Sequence, residues 1–318
     1  MMIDLQTREV ARSRVRQFAA ALALAEKHDH PLTTELLESL YAKIEQSYLE
    51  DAPRGHLLAR SDFVVHAEGP GAAHELPWLA ALNWLSGTAE RTLKALAANW
   101  FDVRNADGPA LVKHLDLRLA GMAGGSLWMG FRIEPPGDDL IARDEALIEE
   151  LAARLSMLPE TAGFVGDEGI DPALSELISD PAERDVMLHA LQRLSPTGKA
   201  GIHTLEIGGR QSGYARLSQR ERVVITQALR RPLDDKLRQG GFVGQVREAD
   251  MDKTRVHLRG VPEIGSLRCV LPQMNKETAK ALIGETVSVR GRYAVDKAGK
   301  PRLLYVEQIK AIGVQAEI

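Results

Sequence analysis

The chain has 318 residues, 44% hydrophobic and 26% charged, the proportions of an ordinary globular protein rather than a disordered or collagen-like one. Its formal charge of −4 hides an asymmetry: residues 236–318 hold 15 Lys and Arg against 9 Asp and Glu, which leaves 25 against 35 for the remainder. No run of ~18 apolar residues spans a bilayer, the N-terminus lacks the apolar core of a secretory signal, and the single cysteine, Cys269, excludes an internal disulfide and a zinc site of paired Cys motifs. A cytoplasmic chain is expected, with the Arg-, Ala- and Leu-rich usage of a bacterial one, and the length suggests two domains.

In chain order, the first pattern is a helix from about Thr7 to Lys27, with Val10, Val15, Phe18, Ala19 and Leu22 recurring at three- to five-residue steps. A second helix, about Thr33 to Tyr48, follows the break "HDHPL", so that residues 1–52 read as a helical hairpin, either packed on the body or used as a partner arm. "DFVVHAEG" has the short apolar character of a strand and is closed by "GPGAAHE". The strongest helical signal begins at Pro77, where Trp78, Leu82, Leu85, Ala89, Leu93, Leu96 and Trp100 fall at steps of four and three.

"HLDLRLAGMAGGSLWMGFRIEPP" then reads as a hairpin of two alternating strands. Helices are expected from about Arg143 to Leu158, after Asp171-Pro172 and after Asp180-Pro181, where an N-cap acceptor precedes a proline in the first turn. "GIHTLEIGG" is a further strand, and Ser218 with Glu221 forms a capping-box pattern that opens a helix to about Arg230. This makes residues 53–235 an acidic α+β body with a long central helix, ending where Pro232, Gly240 and Gly241 break the pattern.

Residues 236–318 read as three strands, a short helix with Asn275 as N-cap and Gly284 as stop, then two strands. That is the order of an OB-fold, a small Greek-key barrel whose second and third strands present a ligand face; an SH3-like barrel is the alternative. The fold class expected is therefore α+β: an N-terminal helical arm, a body, and an OB-fold-like small β-barrel. In "DKTRVHLRG" the period of two sends Val256 and Leu258 into the barrel and Lys253, Arg255, His257 and Arg259 outward together. Arg268 on the third strand and Arg290 and Arg292 on the fourth extend this basic set.

Such a concavity is the electrostatic footprint of single-stranded nucleic acid, or of an acidic protein surface. Glu248, Asp250 and Asp252 beside the stripe oppose phosphate, and the domain offers few aromatic side chains for base stacking. The reading is a non-enzymatic binding or assembly protein: the barrel recognises nucleic acid or a protein partner, a second copy included, and the body makes protein contacts. A part in a bacterial toxin–antitoxin or phage (antiviral) defence system is compatible with it.

No catalytic or cofactor motif stands out, and neither a cofactor nor a metal is expected. The densest set of ligand-type residues is His66, Glu68, His74 and Glu75, which marks the region an enzyme reading would use. A Gly-Pro-Gly turn separates the two pairs, no HExxH spacing exists, and polar residues facing water around a strand-to-helix turn account for them. The glycines of "AGMAGGS" lack the following Lys-Ser/Thr of a phosphate loop and fit a hairpin turn.

Overall fold

The structure, a computed structural model, describes residues 2–28, 32–73, 76–104, 112–113, 115–123, 126–134, 142–208, 213–230, 237–250, 254–272 and 274–312. Lys253, His74, Glu75, Asp29, His30, Asp252, the Gly124–Gly125 turn and the break at Pro232 lie outside the described residues. The architecture is α+β with a closed five-stranded barrel at the C-terminal end. The chain divides into two compact units, each made of several segments.

Unit one is Met1–Glu90, Leu115–Glu160 and Pro196–Ser218. It opens with α1 (Met2–Lys27), α2 (Thr34–Gln46), a π turn (Ser47–Asp51) and α3 (Ala52–Arg60). Thr33 caps α2 by accepting from the Leu36 amide, and Arg14 of α1 ties the pair together through the Lys43 carbonyl, the Ser47 hydroxyl and Asp51. After β1 (Phe63–Glu68) comes α4 (Leu79–Val103), whose residues up to Glu90 belong to this unit. Strands β2 (Asp116–Ala123) and β3 (Leu127–Glu134), helix α5 (Ala142–Ser156), and strands β4 (Thr204–Gly208) and β5 (Ala215–Ser218) complete it. The five strands form an antiparallel sheet in the order β2-β3-β1-β4-β5.

Alternation sorts the sheet's faces. Phe63, Val65 and Ala67 of β1 are buried on one face, beside Met129 and Phe131 of β3 and Leu205 and Ile207 of β4. The other face carries Val64, His66 and Glu68, and part of it is covered by α3, whose Leu57 packs on Val64 and Trp128. Gly130 is required beneath α3, because a Cβ there would collide with the Ser61 hydroxyl and Leu57. The glycines of "GPG" have a similar purpose: at Gly71 a Cβ would run into the Ala200 carbonyl, so this turn is shaped by close backbone approach.

Unit two is Arg91–His114, Thr161–Ser195 and Gln219–Ile318. Beside the second half of α4 it contains α6 (Leu158–Gly163, shared at the boundary), α7 (Leu174–Leu177), α8 (Pro181–Leu194) and α9 (Gln219–Ala228). Asp180 caps α8 as expected, its Oδ1 accepting from the Ala182 amide with Pro181 in the first turn. Twelve of the fourteen residues of α8 are buried, Glu183, Arg184, Asp185 and His189 among them. Arg222 of α9 donates to the Gln192 and Ser195 carbonyls at the end of α8, and Gln192 donates to Thr226.

The barrel follows: β6 (Arg238–Asp250), β7 (Arg255–Val261), β8 (Gly265–Val270), α10 (Lys276–Leu282), β9 (Thr286–Val295) and β10 (Pro301–Ala311). It closes in the order β10-β8-β7-β6-β9, with β10 and β8 parallel and the other pairs antiparallel, consistent with an OB-like fold. Val256 and Leu258 point inward as predicted and join Val246, Leu267, Val287, Val289 and Leu304 in its core. Cys269 is fully buried in that core, and burial pushes its thiol well above the usual range, so it behaves as a small apolar side chain. Asn275 caps α10 through the Thr278 amide, and Gly284 ends the helical segment with φ +87°.

Candidate functional site

The residues Arg255, His257 and Arg268 lie together, on the outward side of β7 and β8, as the period of two requires; His257 is directly opposite Arg268 across the strand pair. Their projection into solvent, however, is corrected by the structure: all three are buried, at 3%, 5% and 4% relative exposure. Helices of the same unit cover them, and the covering surface is acidic. Asp185 of α8 receives Arg255 Nη2 on Oδ1 at 2.6 Å and Arg268 Nε on Oδ2 at 2.6 Å. Arg255 Nη2 also donates to the Leu229 carbonyl at 2.7 Å, and Arg268 Nη1 to Asn99 Oδ1 of α4 at 2.9 Å.

A second carboxylate repeats the arrangement one step along β7. Asp102 of α4 accepts from Arg259 Nη2 at 2.9 Å, and its Oδ2 lies 3.8 Å from His257 Nδ1. Arg302 of β10 adds a third tie to the helical segments, donating to Asp180 at 2.8 Å and to the Val103 carbonyl at 2.9 Å. Of the remaining predicted residues, Arg259 keeps a third of its side chain exposed, Arg290 is exposed, and Arg292 is exposed and paired with Glu307 at 3.1 Å.

The electrostatics follow from burial. Removing the Asp185 carboxylate from water would by itself raise its pKa, but Arg255, Arg268 and His189 outweigh that and hold it far below the usual carboxylate range. Burial pushes His257 down from its ordinary value, with Asp102 only partly opposing, so its ring is biased to the neutral form. Asp102 is lowered in the same manner, hydrogen bonds outweighing its desolvation. Two guanidinium groups buried on a single carboxylate form a charge cluster that tolerates no missing member.

The signal for Asp185 and Asp102 lay in the charge asymmetry: the excess of acid before residue 236 and of base after it are partly counterparts of each other within one chain. What the linear sequence does not reveal is that a buried helix, α8, carries the decisive carboxylate.

Unit one contains a second group of polar side chains. Register places Trp128 of β3, His66 of β1, Glu206 of β4 and Arg216 of β5 in one cross-strand row. His66 Nδ1 is 2.8 Å from Glu206 Oε2, and its ring stacks on Trp128 with centroids 4.1 Å apart and planes at 10°. Glu68, on the same face, accepts from Thr204 Oγ1 at 2.9 Å and lies 3.6 Å from Arg216. Tyr214 meets Trp128 edge-on, and burial, with Glu206 nearby, pushes its hydroxyl up to about 12. Of the four ligand-type residues singled out in the sequence, His66 belongs to this row and Glu68 lies beside it on the same face, opposite Thr204. Glu206, 140 residues from His66 along the chain, is supplied by strand pairing and has no local sequence signal.

Neither any protein-family model nor any curated protein sequence matches the chain.

Proposed function

We propose that the protein is a non-enzymatic assembly protein whose N-terminal hairpin is the docking element and whose partner is a second copy of the same chain. The observation that supports this reading is that no side chain of α2 is fully buried, with Leu37, Leu40 and Ile44 only half-buried. Leu36 and Tyr41 of α2 are 45% and 60% exposed, and Tyr48 and Leu49 in the following π turn are 51% and 61% exposed. On α1, Val10, Val15, Leu22 and Leu24 are exposed as well. Apolar exposure of this extent on neighbouring helices is the mark of a protein-docking surface.

Charge favours a second copy as the occupant. The exposed charged residues described on α1 are Glu9, Arg12, Arg16, Glu26 and Lys27, a slight basic excess, whereas α2 exposes Glu35, Glu38, Lys43 and Glu45, an acidic one. Two hairpins related by a twofold axis set the basic helix of each against the acidic helix of the other, the self-complementary pattern of an isologous interface. The experiment is a light-scattering mass measurement across a concentration series. A mass twice 34.9 kDa supports the reading, and a monomer throughout the tens-of-micromolar range ends it.

A second reading, recognition of single-stranded nucleic acid by the barrel, now rests on other residues. Arg238, Arg247 and Arg290, on β6 and β9, are exposed and have no ion-pair partner among the described residues. Three phosphate contacts predict a log–log salt slope of about −2 for a single strand, at roughly −0.7 per contact. Titration of the full chain with a labelled oligonucleotide checks it: changing all three arginines to Ala should flatten the slope, and absence of binding at low salt removes this reading.

A further inference from the structure

Beyond assembly, the geometry points to His66, Glu68 and Glu206 as a binding site for a divalent transition-metal ion of the zinc class. One imidazole nitrogen and one oxygen from each carboxylate lie within 4.8 Å of one another. Zinc–nitrogen and zinc–oxygen bonds of about 2.0–2.2 Å bring such ligand atoms to roughly 3–3.5 Å apart, a closure of up to roughly 1.3–1.8 Å. The two glutamates have room for that movement, since their side chains are 31% and 43% exposed. The imidazole has no need to move, because the sheet positions it, Trp128 stacks on one face, and the strand register sets it beside Glu206.

The independent observation concerns the ring itself. The His66 side chain is more than nine-tenths buried, and its Nε2 has no hydrogen-bond partner among the described residues while Nδ1 faces Glu206. Nδ1, the nitrogen that faces Glu206, is the donor the fixed ring offers to an ion held with the two carboxylates, and Nε2 on the opposite edge is not part of the donor set. Two carboxylates converging on the ring repel each other, and Arg216, 3.6 Å from Glu68 and 63% exposed, offsets that only at the solvent edge of the row. The donor set of one nitrogen and two oxygens suits Zn²⁺ or Mn²⁺ better than an all-oxygen ion such as Mg²⁺. Three protein ligands leave a fourth position open to water or another donor.

The test is calorimetric titration of the chelator-stripped full chain with Zn²⁺, Mn²⁺ and Mg²⁺ separately. One equivalent of Zn²⁺ should bind, Mn²⁺ should bind more weakly and Mg²⁺ should not compete. His66→Ala and Glu206→Gln should each weaken Zn²⁺ binding by about 10- to 100-fold or more. Quenching or shift of tryptophan fluorescence on Zn²⁺ addition, through the stacked Trp128, is expected in the wild type and lost in both variants. No Zn²⁺ binding by the wild type, or undiminished binding by well-folded His66→Ala, would overturn the proposal. Should the variants fail to fold, Co²⁺ loading of the wild type decides: ligand-field bands of nitrogen–oxygen coordination support the site, and the spectrum of hydrated Co²⁺ refutes it. Because the readout is metal binding, its failure leaves the assembly reading untouched.

Discussion

Asp185→Ala is expected to cost about 3–5 kcal/mol of stability, the range for removing one partner from a buried ion cluster. The loss comes from what is left behind: Arg255 and Arg268, 3% and 4% exposed, keep their charges with no carboxylate between them. Asp185→Asn should cost a comparable amount, because shape is kept and charge is not. Replacing all three together, Asp185→Leu with Arg255→Met and Arg268→Met, should recover most of the loss, since buried ion clusters exchange for apolar residues at little net cost. Denaturant midpoints measure this, and a loss under about 1 kcal/mol for Asp185→Ala would show that the cluster is not held as described.

Acid should weaken the same cluster, with a definite sign. The folded state holds Asp185 below its ordinary pKa of 3.8, so its contribution is complete above that value and disappears as the pH falls further. His257 is also depressed, from 6.5; the unfolded chain takes up that proton first, and stability therefore begins to fall as the pH drops through 6.5. The stability profile should decline from near pH 6.5 and steepen below pH 4.

The second large effect concerns assembly. Leu22→Glu combined with Tyr41→Glu should convert the dimer to a monomer while leaving the helical content of the chain nearly unchanged. Both side chains are exposed in the isolated chain, at 37% and 60%, so the cost inside it is confined to the Tyr41–Phe18 ring contact, about 0.5–1.5 kcal/mol. Tyr41 lies against Phe18, ring centroids 4.9 Å apart, and Leu22 follows Phe18 by one turn, so the two charges fall in one patch. A charge exchange gives a sharper result. Arg12→Glu with Arg16→Glu, and separately Glu35→Arg with Glu38→Arg, should each impair self-association, and mixing the two variants should restore a heterodimer. Persistence of the dimer in the Leu22/Tyr41 variant would place the interface elsewhere.

Much of the barrel could be read from sequence because its signals are local. Val256 and Leu258 alternate with charge, Asn275 caps a short helix, and Gly284 stops it; each instruction lies within a few residues. The long helix was equally legible, with Leu85, Ala89, Leu93, Leu96 and Trp100 all buried, although Trp78 at its start is 52% exposed. Helix α3 gave no such signal, since Pro53 and Gly55 mimic a break and its packing on Val64 and Trp128 is tertiary. Strand β5, four residues long, is defined only by its pairing with β4.

The candidate sites divide along the same line. A period of two fixes which side of β7 the cations occupy, and this was correct for Arg255, His257 and Arg259. Whether that side meets water or protein depends on α8 and on the second half of α4, which come from distant segments of the chain. Asp185 sits in "AERDVMLHAL", a stretch whose charged residues suggest a solvated face yet are buried. Glu206 is likewise beyond local reading, because only strand register brings it to His66.

The most direct measurement is arginine-selective dicarbonyl labelling of the folded full chain, quantified residue by residue by mass spectrometry. Arg255 and Arg268 should stay unmodified while Arg238, Arg247 and Arg290 react, and all five should react once the chain is unfolded. Modification of Arg255 and Arg268 in the folded chain at the rate of Arg290 would mean that the barrel's cations face solvent, contradicting a structure in which Asp185 holds them inside.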